Sequence, residues 1–352
     1  MTVARSFGRV AIFYHFVAAA LGLLCIAGCS SSPTSLDSGT RMQLVVTGLA
    51  PLDPSEGTYT LWVYDANDQP TAVEALHLDA AAADAGATTI PFDLPVANPS
   101  RIAITVEPPG DADPAPSSSQ ILSGAFSGGS AHLTIEGSVT DGRPLEHDPG
   151  HHSLFTTSNN VEMGYPSYEN AGLWLFSVSV EINKHKTREV KLTPLRPGWT
   201  YEGWIVYHQG TPQELWIPYG KFRPDLDGLL TSRDNTGSGV FSGDADYVNA
   251  GVEDVPGNEW TSTRVADQLG LHMPGNMPLP LALDAVDPTT GEAIWHHVIT
   301  IEPAFDFDEP LLTDRPFTLR PYRNAIGAGG PGLPREILYQ DNDPTAEVKP
   351  IP

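Results

Sequence analysis

The densest set of side chains able to hold a metal ion lies in one short segment, Glu146, His147, Asp148, His151 and His152. Imidazole and carboxylate together suit Zn, Ni or Cu, and a loop can fold three such groups around one ion. The irregular spacing favours a solvated loop over a metal site. His296 and His297 are adjacent in a segment that reads as a strand, so their side chains point to opposite faces, one toward the core and one outward. Glu107 and Glu302, each trailed by further acids, offer oxygen ligands of the kind calcium accepts, without the alternating acids and central glycine of a calcium loop. Neither a Gly-x-Ser-x-Gly elbow nor a His-Glu-x-x-His pair occurs. Among the aromatics, Trp62, Trp174 and Trp204 sit in strand-like runs and read as core. Trp216, Tyr247 and Trp260 lie near loops and are the candidates for ligand contact. No cofactor is called for.

The elements that must position these residues are β-strands. Gly and Pro stand at 33 each and charged residues at 18%, a composition of short strands and many turns. A Pro197-Gly198 turn feeds a run in which Tyr201, Gly203 and Ile205 share one face and Glu202, Trp204 and Val206 the other, the period of extended chain. The same pattern occurs earlier around Leu49, Pro51, Leu52, Tyr59, Trp62 and Tyr64. Ile104-Thr105-Val106-Glu107-Pro108 matches Ile299-Thr300-Ile301-Glu302-Pro303, with Asp111 and Asp113 at the offsets of Asp306 and Asp308. Two copies of one ancestral unit follow, the second carrying about 53 extra residues between its paired motifs. Single strands are expected over Leu173–Ile182 and Leu279–Asp284, and a loop from Asp141 to Gly172.

The N-terminus carries an address. Arg5 and Arg9 precede an apolar run from Val10 to Ala27, the layout of a secretory signal. Ile26, Ala27, Gly28 and Cys29 resemble the bacterial lipobox, in which the cysteine receives lipid and becomes the new N-terminus. Ser30 after it resembles the sorting pattern of outer-membrane lipoproteins, and the Ser-rich stretch beyond reads as a flexible tether. Cys25, the other cysteine, falls within the removed segment, so the folded body can form no disulfide. The chain's net charge of −24 becomes −26 once Arg5 and Arg9 leave with the signal, and such a surface repels nucleic acid and bare anionic lipid.

The Trp-containing strand, the Ile-Thr-Ile-Glu-Pro strand and its acidic loop resemble the extracytoplasmic C-terminal domain of the anti-sigma-K factor family. Leu195, Pro197, Gly198, Trp199, Tyr201, Glu202, Gly203 and Trp204, with Gly220 and Phe222, carry the likeness. The resemblance implies a small β-sandwich and a sensing or binding role. It implies no anti-sigma activity, which in that family belongs to a separate cytoplasmic helical module.

These readings converge on an all-β chain of two tandem β-sandwich, Ig-like domains after a lipoprotein signal peptide. The expected division is 1–28 signal, 29–41 lipidated Cys29 and tether, 42–187 first domain, 188–327 second domain with its insertion, and 328–352 a disordered tail. The expected function is a non-enzymatic lipoprotein of the bacterial envelope, lipid-anchored on the outer membrane and serving binding, sensing or structural display toward an envelope protein or glycan. Two further readings stay open: an accessory regulator of an anti-sigma or envelope-stress pathway, and a metal-dependent or glycan-active hydrolase.

Overall fold

The computed structural model describes residues 35–76, 86–156, 168–175, 179–181, 184–186, 190–224, 230–234, 236, 239–242, 255–306 and 315–352. The chain is all-β. In order its strands are β1 (Arg41–Thr47), β2 (Thr58–Tyr64), β3 (Pro70–Leu76), β4 (Ala87–Asp93), β5 (Arg101–Glu107), β6 (Gln120–Ser127), β7 (Ser130–Thr134), β8 (His151–Leu154), β9 (Gly172–Trp174), β10 (Ser179–Glu181) and β11 (Lys184–Lys186). Then follow β12 (Trp199–Tyr207), β13 (Leu215–Pro224), β14 (Leu230–Asp234), β15 (Gly257–Glu259), β16 (Trp295–Pro303), β17 (Tyr322–Ala325), β18 (Arg335–Glu336) and β19 (Thr345–Pro350).

An eight-stranded sheet runs β3-β2-β5-β6-β7-β19-β1-β4, and a five-stranded sheet runs β14-β13-β12-β16-β17. A smaller sheet, β15-β9-β8-β18, and the β10-β11 pair complete the set. β1 shows the pattern of a strand with one face on the core: Met42, Leu44 and Val46 are buried while their neighbours are more exposed. β12 and β16 differ, being buried along nearly their whole length because both faces are covered. On β12 the face of Tyr201 and Ile205 joins the main core, and the face of Trp204 and Val206 packs with Val298 and Trp216 in a separate cluster.

The sequence repeat is a repeat of structure. Tyr59 faces Val106 and Trp62 faces Ala103 across β2 and β5, just as Tyr201 faces Ile301 and Trp204 faces Val298 across β12 and β16. The next strand shifts register between Leu61 and Trp62 in one copy and between Gly203 and Trp204 in the other, the equivalent point. On the opposite flank Ile104 faces Leu122, as Ile299 faces Tyr322. Even the preceding turns agree: the Tyr59 hydroxyl donates to the Ala50 carbonyl at 3.1 Å, and the Tyr201 hydroxyl to the Thr193 carbonyl at 2.8 Å.

The two copies do not separate into domains at 187/188. Ser35–Pro352 forms one compact unit with one main apolar cluster drawn from both copies. Trp199 Nε1 donates to the Gln120 carbonyl at 3.0 Å, and the Ser119 hydroxyl to the Gly198 carbonyl at 2.9 Å, joining the copies directly. The segment expected as a disordered tail is ordered instead. β19 lies between β7 and β1, its Ala346 and Val348 buried, and β18 pairs with β8. The tether is also shorter than expected, because Leu36 is buried and its carbonyl accepts the Asn98 N–H at 2.7 Å. The loop expected from Asp141 to Gly172 contains β8, and Leu173–Ile182 is no single strand, since β9 ends at Trp174. Leu279–Asp284 forms no strand; its amides at Leu281 and Leu283 donate to Trp260 and Asn170 as cross-links between loops.

Because β19 supplies partners to two strands at once, deleting residues 345–352 exposes two ladder edges. The prediction is a clearly lower urea midpoint for the truncated chain, read by tryptophan fluorescence; an unchanged midpoint contradicts this placement.

Candidate functional site

Among the described residues, three of the buried polar constructions involve the paired strands of the two copies. The first occurs twice. Trp62 Nε1 donates to Thr105 Oγ1 at 2.8 Å, the Thr105 hydroxyl donates to Glu107 Oε1, and the Ser117 N–H closes on the Glu107 carboxylate at 3.1 Å. In the second copy Trp204 Nε1 donates to Thr300 Oγ1 at 2.9 Å, the Thr300 hydroxyl to Glu302 Oε1, and the Phe317 N–H to Glu302 Oε1 at 2.9 Å. Thr and Glu two residues apart lie on one strand face, and the tryptophan is brought beside them by the neighbouring strand. The carboxylate then holds the start of the returning chain. Glu107 and Glu302, which sequence reading offered to calcium, are thus supplied with protein donors from inside.

The second construction exists only in the later copy. Glu202 and Lys221 face each other across β12 and β13, both buried, with Lys221 Nζ 4.0 Å from Glu202 Oε2. At the equivalent positions the first copy pairs Thr60 with Ala75. Removing one partner of a buried ion pair leaves a charge in a medium of low polarizability, a loss of about 3–5 kcal/mol.

The third is a chain of rings. The Tyr219 hydroxyl lies 3.0 Å from His297 Nε2, and His297 Nδ1 lies 3.2 Å from His152 Nδ1, with the two imidazoles edge to face. Tyr219 fits because its partner strand has Gly203 there; a Cβ at that point would fall 1.6 Å from the phenol ring. The first copy fills the equivalent positions with Leu61, Val73 and Ile102, all apolar. Burial drives both histidines toward the neutral form, His297 down to about 3 and His152 well below the usual imidazole range. One direction of donation, Tyr219 O–H to His297 Nε2 and His297 Nδ1–H to His152 Nδ1, leaves a single polar group unpaired, His152 Nε2. The reverse leaves the tyrosine proton unpaired as well. All three side chains are closed to solvent, so the chain of rings specifies the packing of β8 on β13 and β16 and meets no substrate from outside.

The five residues read as a metal cluster are placed apart. His152 turns inward to His297, while His151 is half-buried on the other side of β8. His147 is exposed and stacks on Tyr339 with ring centroids 4.3 Å apart. The Tyr339 hydroxyl donates to Asp343 Oδ2 at 2.6 Å, and burial raises the Asp343 carboxyl above its ordinary range. Asp148 is exposed, and Glu146 accepts only the Asp148 N–H, at 3.4 Å, among the described residues. Among the described residues no three His, Cys, Asp or Glu side chains gather as a metal site. His296 and His297 take opposite faces, His297 buried and His296 half-buried.

Of the aromatic candidates, Trp260 is core, 1% exposed. Trp216 is half-buried and occupied: its Nε1 donates to Glu214 Oε1 at 2.6 Å, the Arg320 guanidinium covers the ring at 4.6 Å, and the Trp204 ring meets it edge-on. Tyr247 and Cys29 lie outside the described residues. Sequence reading missed Tyr219 and Lys221. The aligned tryptophans carried the needed signal, because superposing Trp62 on Trp204 sets Thr60 against Glu202 and Leu61 against Gly203. No family model, curated protein or solved structure matches the chain, so the likeness to the anti-sigma-K domain rests on the residues quoted for it.

Two outcomes follow from these constructions. Thr300→Val removes the hydroxyl that joins Trp204 to Glu302 and leaves both short of a partner; the expected loss is about 1–3 kcal/mol in urea unfolding. The histidines titrate more readily in the unfolded chain, at about 6.5, than in the folded one. Their contribution is therefore complete above about pH 6.5 and is lost as pH falls toward the folded values, by up to about 1.4 kcal/mol per pH unit for each histidine. His297→Gln should flatten that acid limb; an equal slope in the variant contradicts the assignment.

Proposed function

We propose that the protein is a lipid-anchored envelope lipoprotein whose β body binds or displays at a membrane surface and performs no chemistry of its own. The observation that carries this reading is the order Arg5, Arg9, the apolar run, then Ile26-Ala27-Gly28-Cys29. Lipid on Cys29 supplies an attraction that the body lacks, since its net −26 is repelled by anionic headgroups. Several acyl chains are needed for a lasting hold, as one binds only marginally.

The fold sets the reach of that anchor. Leu36 is tied into the core, leaving six residues between it and Cys29, seven steps of chain that extend to at most about 25 Å. The body accordingly works close to the membrane that holds it, and the acidic surface keeps it from lying flat on anionic lipid. A rigid, doubly covered β framework suits presentation of a binding surface. Ser30 supports the outer membrane as the destination.

The test is Cys29→Ala in a cell that processes lipoproteins. The expected result is loss of metabolic palmitate labelling and release of the protein from the membrane fraction. Labelling that persists in the variant, or an unlabelled native chain, would falsify the anchor.

A further inference from the structure

The turn that precedes the tyrosine strand shapes a depression in both copies. In the first it is lined by Val46, Gly48, Leu49 and Ala50 together with Gly86–Thr88, and carries no charged side chain. In the second the equivalent turn, Lys191-Leu192-Thr193-Pro194, meets Arg143, Pro144 and Glu146 around a depression of about 360 Å³. The equivalence is fixed by the two tyrosines, whose hydroxyls bond Ala50 in one copy and Thr193 in the other. Gly48 therefore corresponds to Lys191 and Ala50 to Thr193. A neutral feature of the unit has become polar in one copy.

Its walls are tied. The Thr193 hydroxyl donates to the Pro144 carbonyl at 3.0 Å, the Lys191 N–H to the Pro149 carbonyl at 2.8 Å, and the Thr140 hydroxyl to the Arg143 carbonyl. Its charges are not. Among the described residues neither the Arg143 guanidinium nor the Lys191 ammonium takes part in a hydrogen bond or an ion pair, although acids outnumber bases 43 to 19 in the chain. Two uncommitted cations on one rim, in so acidic a protein, present the chemistry of an anion site, and Glu146 beside them offers an acceptor to hydroxyl groups. The volume lies at the lower end of the roughly 300–1,000 Å³ typical of small-molecule sites, room for a ligand of monosaccharide size.

We propose that this depression binds a small hydroxylated anion of the acidic-sugar class. The anionic group bridges Arg143 and Lys191, and a neighbouring hydroxyl donates to the Glu146 carboxylate. This goes beyond the anchored display reading and does not depend on the lipid, so its failure leaves the Cys29 result untouched.

The experiment is calorimetric titration of the full chain at low ionic strength with D-glucuronate, D-glucose and inorganic phosphate. The expected result is binding of glucuronate but not glucose. Arg143→Gln and Lys191→Gln should each weaken it by about tenfold or more, and Glu146→Gln should weaken glucuronate while sparing phosphate. Lys349→Gln, an exposed charge on β19, should change nothing. All four positions except the half-buried Glu146 are exposed, and urea midpoints report whether each variant is folded. The proposal is overturned if the native chain binds no glucuronate, if phosphate binds and glucuronate does not, or if neither Arg143→Gln nor Lys191→Gln weakens binding.

Discussion

The simultaneous pairing of β19 with β7 and β1 is the constraint on which the architecture depends. Without it the eight-stranded sheet falls into β3-β2-β5-β6-β7 and a separate β1-β4 ribbon, and two-stranded ribbons are marginal in water. The strand arrives from the far end of the chain. Everything between β7 and β19, including the whole second copy, is an excursion that must be completed before the first sheet can close. The copies are thus nested rather than laid end to end, which explains why Ser35–Pro352 packs as one body. Such closure depends on contacts of very high sequence separation, the kind that slows folding.

Within that frame the copies kept one device and exchanged others. The Trp-Thr-Glu relay persists in both because it connects three separate pieces of chain: the strand, its neighbour and the returning segment at Ser117 or Phe317. Around it the chemistry diverged. Leu61, Val73 and Ile102 became Gly203, Tyr219 and His297, an exchange in which the lost leucine makes room for the phenol ring. Thr60 and Ala75 became the Glu202–Lys221 pair. Beyond the shared relay, the second copy therefore adds the Glu202–Lys221 pair and the Tyr219–His297 contact, and the Lys191 wall of the charged depression belongs to it too. The apolar first copy serves as framework, and the second carries what is particular to this protein.

Much of this was legible in the sequence because a duplicated pattern exposes register. Ile104–Pro108 against Ile299–Pro303 fixes which strands correspond, and the period-2 alternation from Tyr201 to Val206 is that of the strand observed, with both of its faces buried. β19 was not legible. Thr345-Ala346-Glu347-Val348-Lys349-Pro350 has only Ala346 and Val348 to bury, and its stability comes from two neighbouring ladders rather than its own composition. The histidines misled for a similar reason. Glu146 to His152 looks like a ligand cluster when read along the chain, but β8 turns His151 and His152 to opposite sides, and the partner of His152 lies 145 residues away.

Hydrogen exchange of the β19 amides tests the nested arrangement most directly. A strand held on both edges at the centre of the sheet should exchange only through global opening, with protection equal to that of β5 and β16. Rapid exchange there, beside a protected β5, would show a frayed tail and leave the first sheet open.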